Sequence, residues 1–260
     1  MRKLIIILLL LAVAWPNLSA QVINTERIRF APTAKRWTGN FDFNFGLNRT
    51  KAGQTLRLNT NGKLQLNYPR EKWMLLSGYA LVQFLDIDTP DAVPKNFNNT
   101  QFVHLRYNRS LHPKLTWEAF AQEQWDEVHE IDLRLLFGTG PRVQFVQTDS
   151  SQFFFGLLYM YEHENTSGED FLERNRDHRL SSYLSLGFEF NNFLINHISY
   201  YQPNLQNFGD YRINSETSIR VQIDKRLSLR TSFELIFDSQ PPPTVRQTRY
   251  NLNSGISFEF

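Results

Sequence analysis

Apolar and polar residues alternate along most of the chain from Trp37 onward. Phe41, Phe43 and Phe45, for example, are separated by single polar residues. A helix would repeat its apolar positions every three or four residues, so a period of two predicts β-strands. About twelve such segments can be distinguished, over the approximate ranges 37–49, 54–68, 72–85, 97–109, 114–125, 130–147, 152–163, 178–190, 193–203, 211–224, 227–238 and 246–260.

These segments are longer than the strands of an average globular protein, which run to about five or six residues. At about 3.3 Å per residue, a strand of about 12 residues is long enough to cross a bilayer at a steep tilt. Short and long connections largely alternate, and the strand number is even, as in bacterial outer-membrane barrels. The sequence therefore predicts an all-β fold, a single antiparallel up-and-down transmembrane β-barrel of about 12 strands. The alternative is a secreted soluble β-sandwich acting as a binding module, whose strands also alternate but are shorter.

The first 20 residues have the layout of a secretory signal peptide. Met1-Arg2-Lys3 is basic, the run from Leu4 to Ala14 is apolar, and Ala20 offers a small residue for cleavage. We therefore divide the chain into a signal peptide (1–20), a periplasmic lead-in (21–36) and an outer-membrane barrel domain (37–260). The chain has no Cys and a formal net charge of only +2. This charge favours neither a nucleic-acid partner nor a strongly ion-selective pore.

The last predicted strand has the form of a signal for the barrel-assembly machinery. Such a signal has apolar or aromatic residues at alternate positions and ends in Phe, and it is read by strand pairing. The residues that fit this pattern are Tyr250, Leu252, Ile256, Phe258 and Phe260. Together with the signal peptide, they predict export to the bacterial outer membrane, with membrane lipid and lipopolysaccharide as surroundings.

If the apolar faces contact lipid, the opposite faces line the lumen and carry charges of both signs. Two interpretations stay open: a structural network of ion pairs across the interior, or a polar pathway for a small solute in which the arginines attract anions. The predicted lumen charges are Asp42, Arg57, Lys63, Glu118, Arg134, Arg179, Glu189, Arg212, Glu216, Arg220, Arg230, Glu234, Arg249 and Glu259.

Enzymatic and metal-binding alternatives rest on short motifs. His197 and Ser199 are two residues apart on one predicted strand, which puts both on the same face. The pair looks like the His-x-Ser pair of outer-membrane lipid A deacylases, so a lipid-modifying lipase or deacylase is an alternative. No acid can be assigned to orient the histidine, and we predict no enzyme and no cofactor. Metal-ligand types also flank one predicted long loop, at Glu162-His163-Glu164, Asp170, Glu173 and Asp177-His178.

Several stretches resemble a known family. The strand 133–142 runs into a Gly-x-Gly break, 120–126 precedes it and 156–162 follows it; the loop 237–243 then leads into the final strand. This order resembles the domain-of-unknown-function family of salt-induced outer-membrane proteins, over about Trp37 to Phe260. The resemblance implies a barrel in the outer membrane, but no substrate and no catalytic residue. The predicted function is accordingly a structural role in the envelope or passive passage of small solutes.

Overall fold

A computed structural model describes residues 36–51, 53–89, 91–168, 171–224, 227–243 and 245–258. In these ranges the chain forms twelve strands: β1 (Trp37–Thr50), β2 (Gly53–Asn67), β3 (Glu71–Leu85), β4 (Lys95–His112), β5 (Leu115–Asp126), β6 (Ile131–Gln147), β7 (Ser151–Gly168), β8 (Phe171–Phe190), β9 (Phe193–Pro203), β10 (Tyr211–Gln222), β11 (Leu227–Asp238) and β12 (Thr248–Phe258). The predicted signal peptide and all but the last residue of the lead-in lie outside the described ranges, as do Glu259 and Phe260.

The strands form one sheet in sequence order, and every described pairing is antiparallel. This is the predicted up-and-down architecture, and it excludes the alternative of a β-sandwich, because all twelve strands belong to a single sheet. One boundary prediction is wrong: 164–177 is not a long loop. There β7 and β8 continue as a paired hairpin, with Thr166 opposite Glu173 and Gly168 opposite Phe171. Polar residues in this segment pair across the hairpin and so extend both strands.

The connections at the two ends of the sheet differ in length. At one end, which we name the short-turn end, the joins at 68–70, 113–114, 148–150, 191–192 and 223–226 are tight. The other, the long-loop end, carries the longer joins 86–94, 204–210 and 239–247, together with shorter ones. A 3₁₀ turn at Glu127–His129 closes the β5–β6 join there, where Asp126 accepts a hydrogen bond from the amide of His129.

One face of the sheet is apolar and exposed to the surroundings. On β1, Phe41, Phe43 and Phe45 are each more than 60% exposed, which no soluble fold would leave uncovered along a whole strand. Aromatic contacts lie toward both ends of this outward face: Trp73 with Tyr107 (centroids 4.5 Å apart) toward the short-turn end, and Tyr211 with neighbouring rings toward the long-loop end. An apolar band between aromatic rows is the exterior of a membrane barrel. No helix within the described ranges is long and apolar enough to span a membrane.

The opposite, inward face is buried over most of its width. A cluster of apolar residues fills the interior against β5 to β9: Phe120, Leu136, Leu158, Met160, Tyr183, Ile198 and Tyr200. These side chains explain why β7 and β9 are apolar on both faces in the sequence. Between and around them lie buried polar and charged groups. We name the buried inward side chains of β3 to β11 the packed wall.

Three inward glycines allow aromatic rings to lie flat against the packed wall. Each glycine is directly opposite an aromatic residue of a neighbouring strand, as Gly138 is opposite Phe120 and Gly156 is opposite Tyr183. A Cβ on Gly156 would come within 2.1 Å of the Tyr183 ring, and one on Gly138 within 2.3 Å of the Phe120 ring. The rings therefore occupy the space that side chains would fill, a recurrent way of protecting glycine in β-sheets. Gly78 and Phe102 form the third such pair.

Candidate functional site in the barrel interior

Glu162 of β7 is the centre of a buried ion-pair cluster. Its side chain is fully buried, and its carboxylate oxygens lie 3.1 Å from Nε of Arg134 (β6) and 2.6 Å from Nε of Arg179 (β8). Arg212 of β10 also donates to it, from three strands away. Because alternate residues of a strand share a face, Glu164 points inward as well, and it pairs with Arg134 and Arg212. One carboxylate thus joins four strands across the interior.

Three further acids complete the cluster on the side of the long-loop end. Arg179 reaches Asp210, in the β9–β10 connection, at 2.7 Å, and Asp177 on its own strand at 3.1 Å. Arg212 holds Asp238, the last residue of β11, at 2.8 Å. The loop that carries Asp210 is therefore fastened to the barrel wall by charge. We name this set the Glu162 cluster; among the described residues it contains Glu162, Glu164, Asp177, Asp210, Asp238, Arg134, Arg179 and Arg212.

A second, smaller group surrounds Glu118 nearer the short-turn end. The hydroxyl of Tyr183 donates to Glu118 at 2.6 Å, and Arg106 and Arg142 lie 3.7 and 4.0 Å from the carboxylate. Arg106 also lies over the Phe120 ring, which it meets at 5.6 Å from the centroid. Glu118 is fully buried, so its charge is compensated by these arginines and by the tyrosine hydroxyl.

The inward face of β1, β2 and β12 differs from the packed wall, because its side chains are polar, mostly amides, and, apart from the buried Gln65, stay exposed or half-buried. Hydrogen bonds link successive members along each strand: Asn61 donates to Asn59 at 2.8 Å on β2, and Asn253 donates to Asn251 at 3.2 Å on β12. We name this set the amide face; it consists of Asn40, Asp42, Asn44, Asn59, Asn61, Asn251 and Asn253.

The residues predicted to form a lumen charge network separate into four groups in the structure; Glu259 lies outside the described ranges. Arg134, Arg179 and Arg212 meet in the Glu162 cluster, and Glu118 is in the smaller group. Glu216 and Glu234 are buried directly opposite each other on β10 and β11. The others point inward but stay exposed or half-buried and belong to neither cluster: Asp42, Arg57, Lys63, Glu189, Arg220, Arg230 and Arg249.

Several members of the clusters were not among the predicted lumen charges. Glu162 and Glu164 lie on β7, but their spacing beside His163 had suggested metal ligands at a loop. Alternation was the available signal, since both have the inward parity of Met160. Arg106 and Arg142 likewise share the inward parity of buried neighbours. Asp210 lies in a connection, where strand periodicity gives no information about direction.

The residues of metal-ligand type do not form a metal site. Glu162, Glu164 and Asp177 all lie in the Glu162 cluster, where each pairs with an arginine, and Asp170 lies outside the described ranges. Within those ranges, no group of three or more His, Asp or Glu side chains has a metal-binding arrangement.

His197 and Ser199 lie on the outward face, not in the lumen. Ser199 Oγ is 2.9 Å from Nε2 of His197, and Nδ1 of His197 is 2.8 Å from Thr217 Oγ1. Ser199 also meets the hydroxyl of Ser215, at 2.9 Å. In a hydrolase triad a carboxylate usually orients the histidine, whereas here a threonine hydroxyl occupies that place. The pair lies midway along β9 in the apolar band, so these four polar groups satisfy one another where lipid offers no partner.

The fold defines a class of protein: a twelve-stranded antiparallel up-and-down β-barrel whose apolar face points outward. The structure of the NanC porin superposes with a TM-score of 0.50 at 10% identity, covering 85% of this chain and all of that one. The KdgM porin in complex with disordered oligogalacturonate gives 0.42 at 12% identity (86% and 99% covered), and the β-domain of the Bordetella autotransporter BrkA gives 0.36 at 9% (86% and 98%). A search of curated protein sequences finds no match.

The family is shown by sequence. The model of the family described as "Protein of unknown function, DUF481" matches residues 43–258, so the chain belongs to that family. This agrees with the resemblance to a domain-of-unknown-function family. The match extends from within β1 to the end of β12 and thus covers both ion-pair groups and all of the amide face except Asn40 and Asp42.

Proposed function

We propose that this protein is an outer-membrane channel for the passive passage of small polar solutes, with its long-loop end outside the cell. The observation that carries the proposal is the division of the interior. The packed wall is filled, and Glu118 and Glu162 within it pair with arginines, while the amide face keeps its side chains accessible. A barrel whose only role is structural has no need to keep one side of its interior polar and uncovered.

The amide side chains suit such a path. Each amide offers two donors and an acceptor, so it can exchange hydrogen bonds with water or with a passing solute. Amides carry no charge, and they therefore bind neither cations nor anions tightly enough to stop their passage. Conduction requires contacts of this moderate strength.

The absence of native cysteine makes a direct test simple. Asn61→Cys places a thiol on the amide face, and Thr60→Cys places one on the outward face of the same strand. We expect the purified protein to conduct in a planar bilayer. A charged, membrane-impermeant methanethiosulfonate should reduce the current of Asn61→Cys and leave that of Thr60→Cys unchanged.

A third variant tests whether the packed wall is closed to the same reagent. Ser185→Cys lies in the packed wall, where its parent side chain is only 1% exposed, and it should resist the reagent. Absence of conductance from a protein that shows heat-modifiable migration would refute the channel. It would favour the alternative, a closed barrel with a structural role in the envelope.

The location and assembly of the channel are part of the proposal. Export by residues 1–20, recognition of the last strand by the assembly machinery and contact with lipopolysaccharide all follow from the sequence patterns. Tyr250, Leu252 and Ile256 have the outward exposure that such a strand signal needs. Deleting Phe260 should lower the amount of heat-modifiable protein in outer-membrane fractions.

The osmotic-stress role implied by the resemblance predicts higher protein levels at high salt, which immunoblotting can measure.

A further inference from the structure

The outer part of the β7–β8 hairpin separates acidic and basic side chains between its two faces. Its inward face carries Glu162, Glu164 and Asp177, each of which pairs with an arginine of the Glu162 cluster. Its outward face carries basic residues at alternate positions of both strands, and the continuous pairing of β7 with β8 keeps this alternation unbroken. We name these outward residues the basic patch; they are His163, Arg174, Arg176 and His178.

The two arginines of the basic patch are exposed and are not used to hold the fold together. β8 pairs with β9 only from Ser182 onward, with one further bridge at Arg179. In the described part of the chain, the edge of β8 beside Arg174 and Arg176 therefore has no strand neighbour. Neither of these arginines forms an ion pair with another described residue. Their guanidinium groups are available to a partner outside the barrel.

The acids near the basic patch lie on the other face of the hairpin or on another strand. Both carboxylate oxygens of Asp177 are engaged inward, one by the next inward arginine of β8 at 3.1 Å and the other by an asparagine of the β9–β10 connection at 3.0 Å. Glu173 has the inward parity of Asp177. Glu130 and Asp132, at the start of β6, are two strand spacings, about 10 Å, from Arg174. The outward surface beside the two arginines is therefore positively charged.

The basic patch begins where the aromatic row of the outward face ends. The ring of His178 contacts Tyr159 and Tyr161, with centroids 5.9 and 5.5 Å apart, and its Nδ1 shares a hydrogen bond with the Tyr159 hydroxyl. Tyrosines in such rows lie at the level of the lipid headgroups. At about 3.3 Å per residue and a strand tilt of about 40°, Arg176 and Arg174 lie about 5 and 10 Å farther from the bilayer centre than His178. The headgroup layer is about 5–7 Å thick, so Arg176 lies within it and Arg174 at its outer border.

Phosphate is the headgroup component that fits two arginines at this level. Guanidinium groups bind phosphate oxygens through paired, charge-assisted hydrogen bonds. Arg174 and Arg176 are alternate residues of one strand, about 7 Å apart along it, so both can contact the phosphates of a single headgroup. Lipid A, the membrane anchor of lipopolysaccharide, carries its phosphates on the sugars next to its acyl chains. The apolar band below the patch offers a surface for those chains.

We propose that the basic patch is a docking site for the phosphates of lipid A on the outward face of the barrel. This inference rests on the proposed location of the protein, with the long-loop end outside the cell, and it names the residues of the proposed lipopolysaccharide contact. An arginine close to an anionic membrane surface strengthens binding about fivefold, so Arg174 and Arg176 together should contribute about 25-fold.

Native mass spectrometry of the refolded protein in a non-ionic detergent tests the patch. The probes are lipid A with two phosphates and the same lipid with both phosphates removed. The wild type should bind the diphosphorylated lipid about 25-fold more tightly than the dephosphorylated one. The double variant Arg174→Gln/Arg176→Gln should bind both lipids with the lower affinity, because its outward face has lost the groups that recognise phosphate.

Arg70→Gln/Arg109→Gln is the matched control, because it removes two exposed arginines at the short-turn end and changes the net charge by the same amount. It should leave the affinity for diphosphorylated lipid A unchanged. Both double variants should keep heat-modifiable migration and, without lipid A, the unfolding behaviour of the wild type, since surface substitutions of this kind have little effect on stability.

Three results would overturn the docking site: equal losses of affinity in the two double variants, no loss in Arg174→Gln/Arg176→Gln, or equal affinity of the wild type for the two lipids. The channel is judged separately by its conductance. A conducting protein whose lipid affinity does not depend on phosphate would refute the docking site alone. A protein that does not conduct but binds diphosphorylated lipid A through the basic patch would refute the channel alone.

Discussion

Replacing Arg212 by Met should destabilise the barrel strongly. Arg212, like Arg179, contacts three acids of the Glu162 cluster; its partners are Glu162, Glu164 at 3.4 Å and Asp238 at 2.8 Å. Met has a similar length and fits an apolar interior, so the change removes the charge without opening a large cavity. The acids that Arg212 compensates are left in a buried site.

The size of the effect follows from the composition of the cluster. In the described part of the chain, five carboxylates share three guanidinium groups, so losing one arginine increases an existing excess of negative charge. Removing one partner of a buried ion pair typically costs about 3–5 kcal/mol. We expect the upper part of this range for Arg212→Met. Glu162→Gln should offset part of that loss, with a coupling free energy of about 0.5–3 kcal/mol between the two changes.

The measurement is urea unfolding of the barrel refolded in lipid vesicles, followed by tryptophan fluorescence and by heat-modifiable migration. Arg176→Met is the control, since this exposed outward arginine should change the free energy of unfolding by no more than about 0.5 kcal/mol. A loss below about 1 kcal/mol for Arg212→Met, or simple additivity with Glu162→Gln, would refute the argument that the cluster is compensated as a unit.

Other side chains give smaller, separable effects in the same unfolding assay. Tyr183→Phe should cost about 1–3 kcal/mol, because the buried carboxylate of Glu118 loses its 2.6 Å hydrogen bond. Gly156→Ala should cost about 1–3 kcal/mol, since the new Cβ displaces the Tyr183 ring; full additivity with Tyr183→Phe would contradict this explanation. Ser199→Ala should cost only about 0.6–1.7 kcal/mol, by leaving Nε2 of His197 without its partner in the apolar band. Fatty-acid release from phospholipid by the wild type, abolished in Ser199→Ala, would instead establish a hydrolase.

Alternation predicted the direction of most side chains, but not their partners. The positions of Arg134, Arg179 and Arg212 on inward faces follow from the period of two along each strand. Their meeting at Glu162 depends on the stagger between β6, β7, β8 and β10, which arises from the pairing of the strands. The β7–β8 hairpin was underestimated for a related reason: polar residues between 164 and 177 look like a loop unless their cross-strand partners are known.

The strands, their order and the outward apolar face could be predicted from the sequence, because each of these depends on local periodicity and on the length of the connections. Which charges form ion pairs became evident only once the strands were assembled. Burial places Glu118 and Glu162 beside arginines of other strands. Net charge is a sum over residues, whereas the field inside a lumen depends on which charges are compensated. That distribution is set by contacts between residues far apart in the chain.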